Sequence, residues 1–387
     1  MSDTAAIPLF RRDTPRYLES EDGRPLKYPR TRAARWTLRV VVTVVFAALA
    51  VWFDVAAGGD WTGTANAELI AQAQALRAAT GTQIVALSYP PLPILLALVL
   101  PGSALALGLA GAVLAGWLVP SVVQSLARKH YGRGMVCVLA VTLVTTPLFA
   151  YLMVTNVETA LGVAFYGLGM IDLVRFVTYA NTQAGFRAGL WFAAAAFSDA
   201  TTTLSALVAA LAAVVLVQSR RRARVANALV VLFPTVSVLV SLMALSVMFG
   251  AGPLAAFGGG LGWDGDRAAT LLGDFLPSLD GLIFLAPTLL IVVAALVLRF
   301  PRTALIAIVL SAGTLLAYVL GLTGTGDTGT TYVLSVLLAA AIIPERRSSR
   351  ENVAVVLFTV ILWLLGWAGA LTREPIVAWL ATLGGSL

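Results

Sequence analysis

The sequence predicts an all-α polytopic membrane protein, and three observations support this class. First, the 387 residues are 59% hydrophobic and only 12% charged, and their mean hydropathy is +0.90. This is the composition of a chain solvated mainly by lipid. Second, the apolar stretches approach the ~20 residues that a helix needs to cross a bilayer. Third, the stretches lack the alternating pattern of a membrane β-barrel, which leaves helices as the spanning structure.

The apolar stretches are separated by short polar breaks and number about eleven. They cover residues 37–54, 103–126, 135–153, 159–175, 188–199, 201–217, 227–250, 279–298, 303–322, 330–343 and 352–370. Their order predicts three regions. The first is a cytoplasmic tail over 1–36. The second is a group of membrane helices over 37–225, with a long loop at 55–102. The third contains further membrane helices over 226–387, with a loop at 251–278.

The basic residues predict which side of the membrane each loop faces. With the N-terminus inside, all 26 Lys and Arg residues except Arg77, Arg267 and Arg373 fall in the tail or on the inner side. This asymmetry is the one that the positive-inside rule describes. The formal charge of +7 is therefore explained by topology and does not indicate a nucleic-acid partner. The loops 55–102 and 251–278 are expected to lie outside.

Cysteine and histidine are too scarce for several kinds of site. Cys137 is the single cysteine, so neither a disulfide nor a thiolate metal site is expected. His130 is the single histidine and lies in a basic inner turn, which argues against a multi-histidine metal centre and an outer Ser-His-Asp triad. The sequence contains no Walker motif and no dinucleotide-binding glycine pattern, so we do not expect ATP-driven transport by this chain alone.

The loop 55–102 contains two segments that predict helices outside the membrane core. Residues 67–77 have helix-forming composition and one apolar side, with Asn66 or Thr64 as the N-cap. We expect this amphipathic helix to lie flat on the membrane. The segment that begins at Tyr89-Pro90-Pro91 is apolar but too short for a comfortable span. It predicts a second juxtamembrane or re-entrant helix with proline in its first turn.

Four acidic residues occupy distinctive positions on the expected outer side. Asp54 ends the first span, and Asp60 follows it in the loop. Glu158 lies where the third and fourth stretches meet. Asp199 separates two stretches that are each short for a bilayer. A carboxylate at membrane depth costs ~2.5 kcal/mol or more unless it faces protein or water.

Two of these positions also have a simpler interpretation. Asp54 is also compatible with an interfacial acid that closes a helix, and Glu158 with an ordinary loop acid. Near the inner end of the fourth stretch, Asp172 is expected to pair with Arg175, three residues further on.

The order of these features resembles the GT-C superfamily, which contains polyprenyl-phosphate-dependent integral membrane glycosyltransferases. The features that carry the resemblance are the span ending in Asp54, the amphipathic segment, Tyr89-Pro90-Pro91-Leu92, the basic turn 127–133, the acid Glu158 and the pair of short helices meeting at Asp199. The resemblance covers roughly residues 37–225, and the remainder matches only as generic helices.

The resemblance implies transfer of a sugar on the outer face, from a polyprenyl-phosphate-linked donor to a cell-envelope glycan, lipid or protein acceptor. Asp54 would be the general base of one inverting displacement. Glu158 would orient the acceptor, help to bind a divalent metal ion, or both, and Asp54 and Glu158 are the candidate ligands of such an ion. The other residues implied in substrate binding are Asp60, Tyr89, Pro90, Pro91, Asp199 and Arg267, the last facing the leaving phosphate. The protein would be a multi-pass protein of the bacterial plasma membrane.

Two other classes remain open. A non-catalytic membrane subunit of an envelope assembly, bound to protein partners, is compatible with the scarcity of cations on the outer side. A transporter or flippase of lipid-linked substrates would use Asp172, Asp199 and broken helices as a path. Inverted repeats are the sequence signature of many transporters, and the sequence shows no convincing internal symmetry.

Overall fold

The structure, a computed structural model, describes residues 29, 31–100, 102–127, 133–179, 181–216, 221–253, 255–257, 262–297, 301–322, 330–342 and 349–385. Every regular element within these ranges is helical. The basic turn at 128–132, with His130, lies outside the described residues, as does most of the predicted tail.

Seventeen α-helices are present in the described chain. Helices α1 to α9 are Arg32–Ala56, Ala65–Ala78, Thr82–Leu87, Pro91–Val99, Ala104–Ala127, Arg133–Val144, Pro147–Thr155, Val157–Tyr179 and Thr182–Ala196. Helices α10 to α17 are Ala200–Leu216, Arg221–Met248, Gly265–Thr270, Leu279–Val297, Pro301–Val319, Thr330–Ile342, Ser349–Leu371 and Glu374–Gly385. A 3₁₀ turn covers Ala255–Phe257, and a π-helical turn covers Leu271–Phe275.

Six of these helices are long and apolar enough to cross a membrane, namely α1, α5, α8, α11, α13 and α16. The pair α6 and α7 gives a seventh if it is counted as one span, and α10, α14 and α15 contain shorter apolar segments. These findings support a multi-pass membrane protein. The figure of about eleven spans stays a prediction.

The predicted span 135–153 is broken in the structure. Helices α6 and α7 meet at an angle of 58°, because α7 begins at Pro147, which has no N–H to continue the hydrogen bonding of α6. The end of α6 is closed by side chains, since the Thr146 hydroxyl donates to the carbonyl of Leu143 over 2.8 Å. Proline thus converts one expected span into two helices.

Helices α5 and α8 form the centre of the bundle. Their apolar segments are 61% and 67% buried, whereas those of α1 and α11 are only 22% buried and present their apolar residues outward, as lipid-facing helices do. A glycine permits one close approach at this centre, because a Cβ at Gly111 of α5 would overlap the Met153 carbonyl of α7.

The two predicted regions 37–225 and 226–387 share one hydrophobic core. Buried residues of α7 and α8 belong to the same cluster as buried residues of α15 and α16. At one of these contacts, Leu337 of α15 packs against Gly167 of α8, where a Cβ would lie 3.1 Å from the leucine side chain. The later helices therefore complete the core that the earlier ones begin.

The two predicted helices of the first loop are confirmed. Thr64 is the N-cap of α2 and accepts a hydrogen bond from the Ala67 N–H, and α4 begins at Pro91. The buried side of α2, with Leu69 and Ala73, packs against α4. The helices α3, α12 and α17 were not predicted, since each is short or lies where the sequence reads as loop or tail.

Candidate functional site

The loops 55–102 and 251–278 meet at one end of the bundle. The ring of Tyr89 packs edge-on against Phe257, with ring centroids 5.1 Å apart, and Val85 and Leu242 complete a small apolar cluster around them. We call this end, which carries α2, α3, α4 and residues 255–257, the loop face. The candidate site residues Glu158 and Asp199 lie directly beneath the loop face.

The segment Tyr89-Pro90-Pro91 is held firmly against the turn between α9 and α10. The Tyr89 hydroxyl donates to the Ala196 carbonyl over 3.1 Å, and the Leu92 N–H donates to the Phe197 carbonyl over 3.1 Å. From the opposite side, the Gln72 amide of α2 donates to the Tyr89 carbonyl over 2.9 Å. These bonds fix the segment between α2 and the turn that carries Asp199.

The environment of Tyr89 keeps its hydroxyl protonated. Burial raises the pKa of the Tyr89 hydroxyl above its ordinary value, and the negative charges of Asp199 and Glu158 raise it further, against a hydrogen bond to Thr203 that lowers it. Tyr89 therefore acts as a hydrogen-bond donor beside two carboxylates and does not ionise near neutral pH.

Glu158 and Asp199 approach each other from neighbouring helices. Glu158 lies in the first turn of α8. One turn further along α8, Gly162 lies against Asp199, and a Cβ at Gly162 would be 2.8 Å from the Asp199 Cβ. The carboxylates of Asp199 and of Glu68, on α2, are close enough to Glu158 to act on it electrostatically. Glu158 and Asp199 thus lie beneath the loop face, and Glu68 lies on the exposed side of α2 above them.

Asp199 is anchored by the backbone of its own helix. Its Oδ2 accepts a hydrogen bond from the Thr202 N–H over 2.9 Å, which caps the N-terminus of α10, and its carbonyl accepts from the Thr203 hydroxyl over 2.8 Å. The residue is only 5% exposed. The expectation that an acid at membrane depth must face protein or water is therefore met by burial within the protein.

Asn66 is a residue of the site that the sequence did not reveal. It is fully buried. Its amide donates to the Val154 carbonyl over 3.0 Å and accepts from the Val157 N–H over 2.8 Å. Asn66 thus satisfies the backbone at the break between α7 and α8 and positions the first turn of α8, which carries Glu158. The sequence offered only an N-cap role for Asn66, which falls to Thr64.

Asp54 lies in a different group of contacts. Its Oδ1 accepts a hydrogen bond from the Trp61 indole N–H over 2.7 Å, and the Trp61 ring packs edge-on against Phe53, with centroids 4.9 Å apart. Asp60 is exposed in the adjoining turn, where hydrogen bonds from Thr62 hold the pKa of its carboxyl below the ordinary value. The structure thus groups Asp54 with Trp61, and Glu158 with Asp199 and Glu68.

Arg267 is engaged elsewhere on the protein. It lies in α12, and its Nε is 3.4 Å from Oδ2 of Asp264, with both side chains about two-fifths exposed. The Asp264 N–H donates to the Val319 carbonyl, so this ion pair is attached to the end of α14. The contacts of Arg267 therefore do not bring it to Glu158 or Asp199, the acids that a leaving phosphate would approach.

The acidic group does not form a metal centre by itself. Among the described residues, no three or more His, Cys, Asp and Glu side chains are arranged to hold a metal ion. One oxygen of Asp199 already accepts a hydrogen bond from the Thr202 N–H. Mg²⁺ is usually bound by one or two carboxylates, with waters and substrate phosphates as its other ligands. An ion at Asp199 would therefore need most of its ligands from water or substrate.

An apolar groove runs from the lipid-facing surface to the same turn. It has a volume of about 400 Å³ and lies between α9, α11 and the first turn of α4. Its lining is entirely apolar and consists of Leu92, Phe186, Leu190, Ala193, Ala194, Phe197, Phe233, Pro234 and Val238. The groove ends at Leu92 and Phe197, whose backbones are hydrogen-bonded to each other beside Tyr89.

Comparison of the chain with known protein families, with curated proteins and with solved structures finds no match. The resemblance to the GT-C superfamily therefore stays a prediction.

Proposed function

We propose that this protein is a membrane glycosyltransferase of the bacterial plasma membrane, which moves a sugar from a polyprenyl-phosphate donor to a cell-envelope acceptor. The observation that carries this proposal is the juxtaposition of Glu158 and Asp199 beneath the loop face, at the end of an apolar groove. We further propose that the loop face is the outer side, as the distribution of basic residues predicts.

The groove supports a lipid-linked donor. On α9 its lining extends from Phe186 to Phe197, which is ~16 Å along the helix axis. Phe186 and Leu190 are 47% and 48% exposed, so the groove is open at this part of α9. A polyprenyl chain in the groove would be removed from water by apolar side chains alone. Its phosphate would then lie at Leu92 and Phe197, next to the turn that carries Asp199.

The acids support the chemistry. As the acceptor hydroxyl attacks the anomeric carbon, the bond from that carbon to the phosphate oxygen breaks and its electron pair leaves with the phosphate. The hydroxyl proton passes to a carboxylate acting as general base. Glu158 is the base that the contacts favour. Asp199, anchored by Thr202, would hold a divalent ion that neutralises the leaving phosphate. Asp54 remains the alternative base.

The proposal is tested by measuring sugar transfer with the full chain in lipid nanodiscs. The donors are a panel of radiolabelled polyprenyl-phosphate sugars, the acceptor is a bacterial envelope fraction, and released polyprenyl phosphate is measured alongside. We expect Glu158→Gln to abolish transfer and the control Asp266→Asn, on exposed α12, to leave it unchanged. Full transfer by both Glu158→Gln and Asp54→Asn would refute the assignment of the site.

A transporter or flippase is the second candidate, since α6 and α7 form a broken span and Asp199 is buried between two helices. It predicts ion-coupled movement of a lipid-linked substrate across liposomes, without any change in the sugar linkage. A non-catalytic subunit instead predicts co-purification with an envelope protein, with both Glu158→Gln and Asp54→Asn tolerated.

A further inference from the structure

A second cavity lies between helices and shares no lining residue with the apolar groove. It is lined by residues of α8, α10, α13, α14 and α15 and has a volume of about 20 Å³. The polar side chains that line it all carry hydroxyl groups and include Tyr166, Ser205, Thr288, Ser311, Thr314 and Ser335. The rest of the lining is aliphatic. On α8, Tyr166 is ~12 Å further into the bundle than Glu158.

Two of these hydroxyl groups have no hydrogen-bond partner among the residues that the structure describes. They belong to Tyr166 and Ser205, which are 0% and 1% exposed. A buried hydroxyl without a partner is strongly unfavourable, and native proteins contain few. Both side chains line the same cavity, one from α8 and the other from α10. A single guest in the cavity would therefore satisfy both.

Four of the other hydroxyl groups take part in hydrogen bonds within the protein. The hydroxyls of Thr288 and Ser311 share one hydrogen bond, which uses the proton of one of them. Thr314 donates to the Ser311 carbonyl over 2.8 Å, and Ser335 donates to the Thr331 carbonyl over 2.8 Å. Hydroxyl oxygens that donate retain lone pairs that can accept a hydrogen bond. The cavity thus combines the donors of Tyr166 and Ser205 with acceptors on the facing helices.

We propose that this cavity is a binding site for one ordered water molecule, which accepts hydrogen bonds from Tyr166 and Ser205 and donates to hydroxyl oxygens of α14 or α15. The volume suits one water, which needs ~10–15 Å³ measured in this way, and does not suit two. An ion is disfavoured because the lining carries no formal charge to compensate for its lost hydration. The water links helices of the region 37–225 to helices of the region 226–387.

The direction in which Tyr166→Phe shifts the Tm tests this site. Tyr166→Phe removes the hydroxyl and keeps the ring. If a water is bound, the substitution deprives it of a partner and lowers the Tm. In a dry cavity, the same substitution removes an unsatisfied polar group and raises the Tm, which would overturn the proposal. The matched control is Tyr332→Phe. It removes a tyrosine hydroxyl that already has a partner within the protein, since Tyr332 donates to the Leu362 carbonyl over 2.9 Å.

A double-mutant cycle of Tyr166→Phe and Ser205→Ala tests whether both hydroxyls share one guest. With a shared water, the two losses are non-additive, whereas Tyr332→Phe and Ser205→Ala add. Additive losses for Tyr166 and Ser205 would contradict a shared site. An experimental structure that resolves ordered water supports the proposal if density lies within hydrogen-bonding distance of both hydroxyls, and overturns it if the cavity is empty. None of these measurements depends on sugar transfer.

Discussion

The two ends of the helical hairpin α8–α9 each hold a carboxylate, but in opposite environments. At one end Asp172 accepts hydrogen bonds from Arg175 Nη1 over 3.1 Å and from Arg187 Nε over 3.1 Å. At the other end, ~21 Å away along α8, Glu158 lies near Asp199 and Glu68. No ion pair to Glu158 occurs within the described chain.

This difference separates a structural acid from a candidate functional one. When two arginines hold a buried carboxylate, their positive charges balance its negative charge. Removing the carboxylate leaves the positive charges without a partner. A carboxylate that is partly removed from water near two others is disfavoured first by its loss of hydration and second by repulsion, an arrangement that proteins retain chiefly where function requires it. The predictions below test this contrast.

The largest expected effect is on activity. Glu158→Gln keeps the size of the side chain but cannot accept a proton, so we expect sugar transfer to fall about 100-fold or more. The measurement is the initial rate of transfer at saturating donor, with the amount of folded protein determined by gel filtration. Asp266→Asn serves as the control, and a Glu158→Gln rate within twofold of the original would exclude Glu158 as the base.

Next in size is the loss of Asn66. Asn66→Ala leaves the Val154 carbonyl and the Val157 N–H buried without their partner, and each such group costs ~1–3 kcal/mol. We expect the free energy of unfolding to fall by about 3 kcal/mol. Chemical denaturation in detergent measures it. Gln72→Ala is the matched comparison, because Gln72 is only partly buried, and an equal loss at both positions would contradict a special role for Asn66.

The fold was more predictable from the sequence than the site. Helix-forming composition with an N-cap predicted α2 at 67–77, and Pro91 predicted the start of α4. The break at Pro147 was missed, because the apolar stretch 135–153 continues through it. The pairing of Asp172 with Arg175 was predicted from their spacing. Arg187 was missed because its approach depends on how α9 packs against α8. The grouping of Glu158 with Asp199 likewise depends on tertiary contacts such as Gly162, which local patterns do not encode.

A smaller effect is expected at the other end of the hairpin. Asp172→Asn removes the charge that Arg175 and Arg187 share. Since the two arginine side chains are 26% and 46% exposed, water compensates part of the loss, and we expect about 2 kcal/mol of destabilisation. Thermal unfolding measures it. The transfer rate per folded molecule should stay unchanged, and a selective loss of activity would contradict a purely structural role.

The smallest effect is expected from Gly162→Ala. The new Cβ would meet Asp199 and Thr202, so α8 and α10 must separate slightly, at a cost of about 1–2 kcal/mol. The same shift moves Asp199 away from Glu158 and should reduce transfer. Gly134→Ala is the control, because a Cβ at Gly134 of α6 meets nothing within 4 Å. Equal stability of the two variants would show that the contact at Gly162 is not tight.

The contrast between the two ends is tested most directly by comparing the Tm of Glu158→Gln with that of Asp172→Asn in the same lipid nanodiscs. The account predicts opposite outcomes: Glu158→Gln unfolds at the original temperature or higher, because it removes a carboxylate that is disfavoured first by its loss of hydration and second by the nearby charge of Asp199, whereas Asp172→Asn unfolds at a lower temperature. A fall in Tm for Glu158→Gln as large as that for Asp172→Asn would show that Glu158 is a structural acid and would contradict the proposed site.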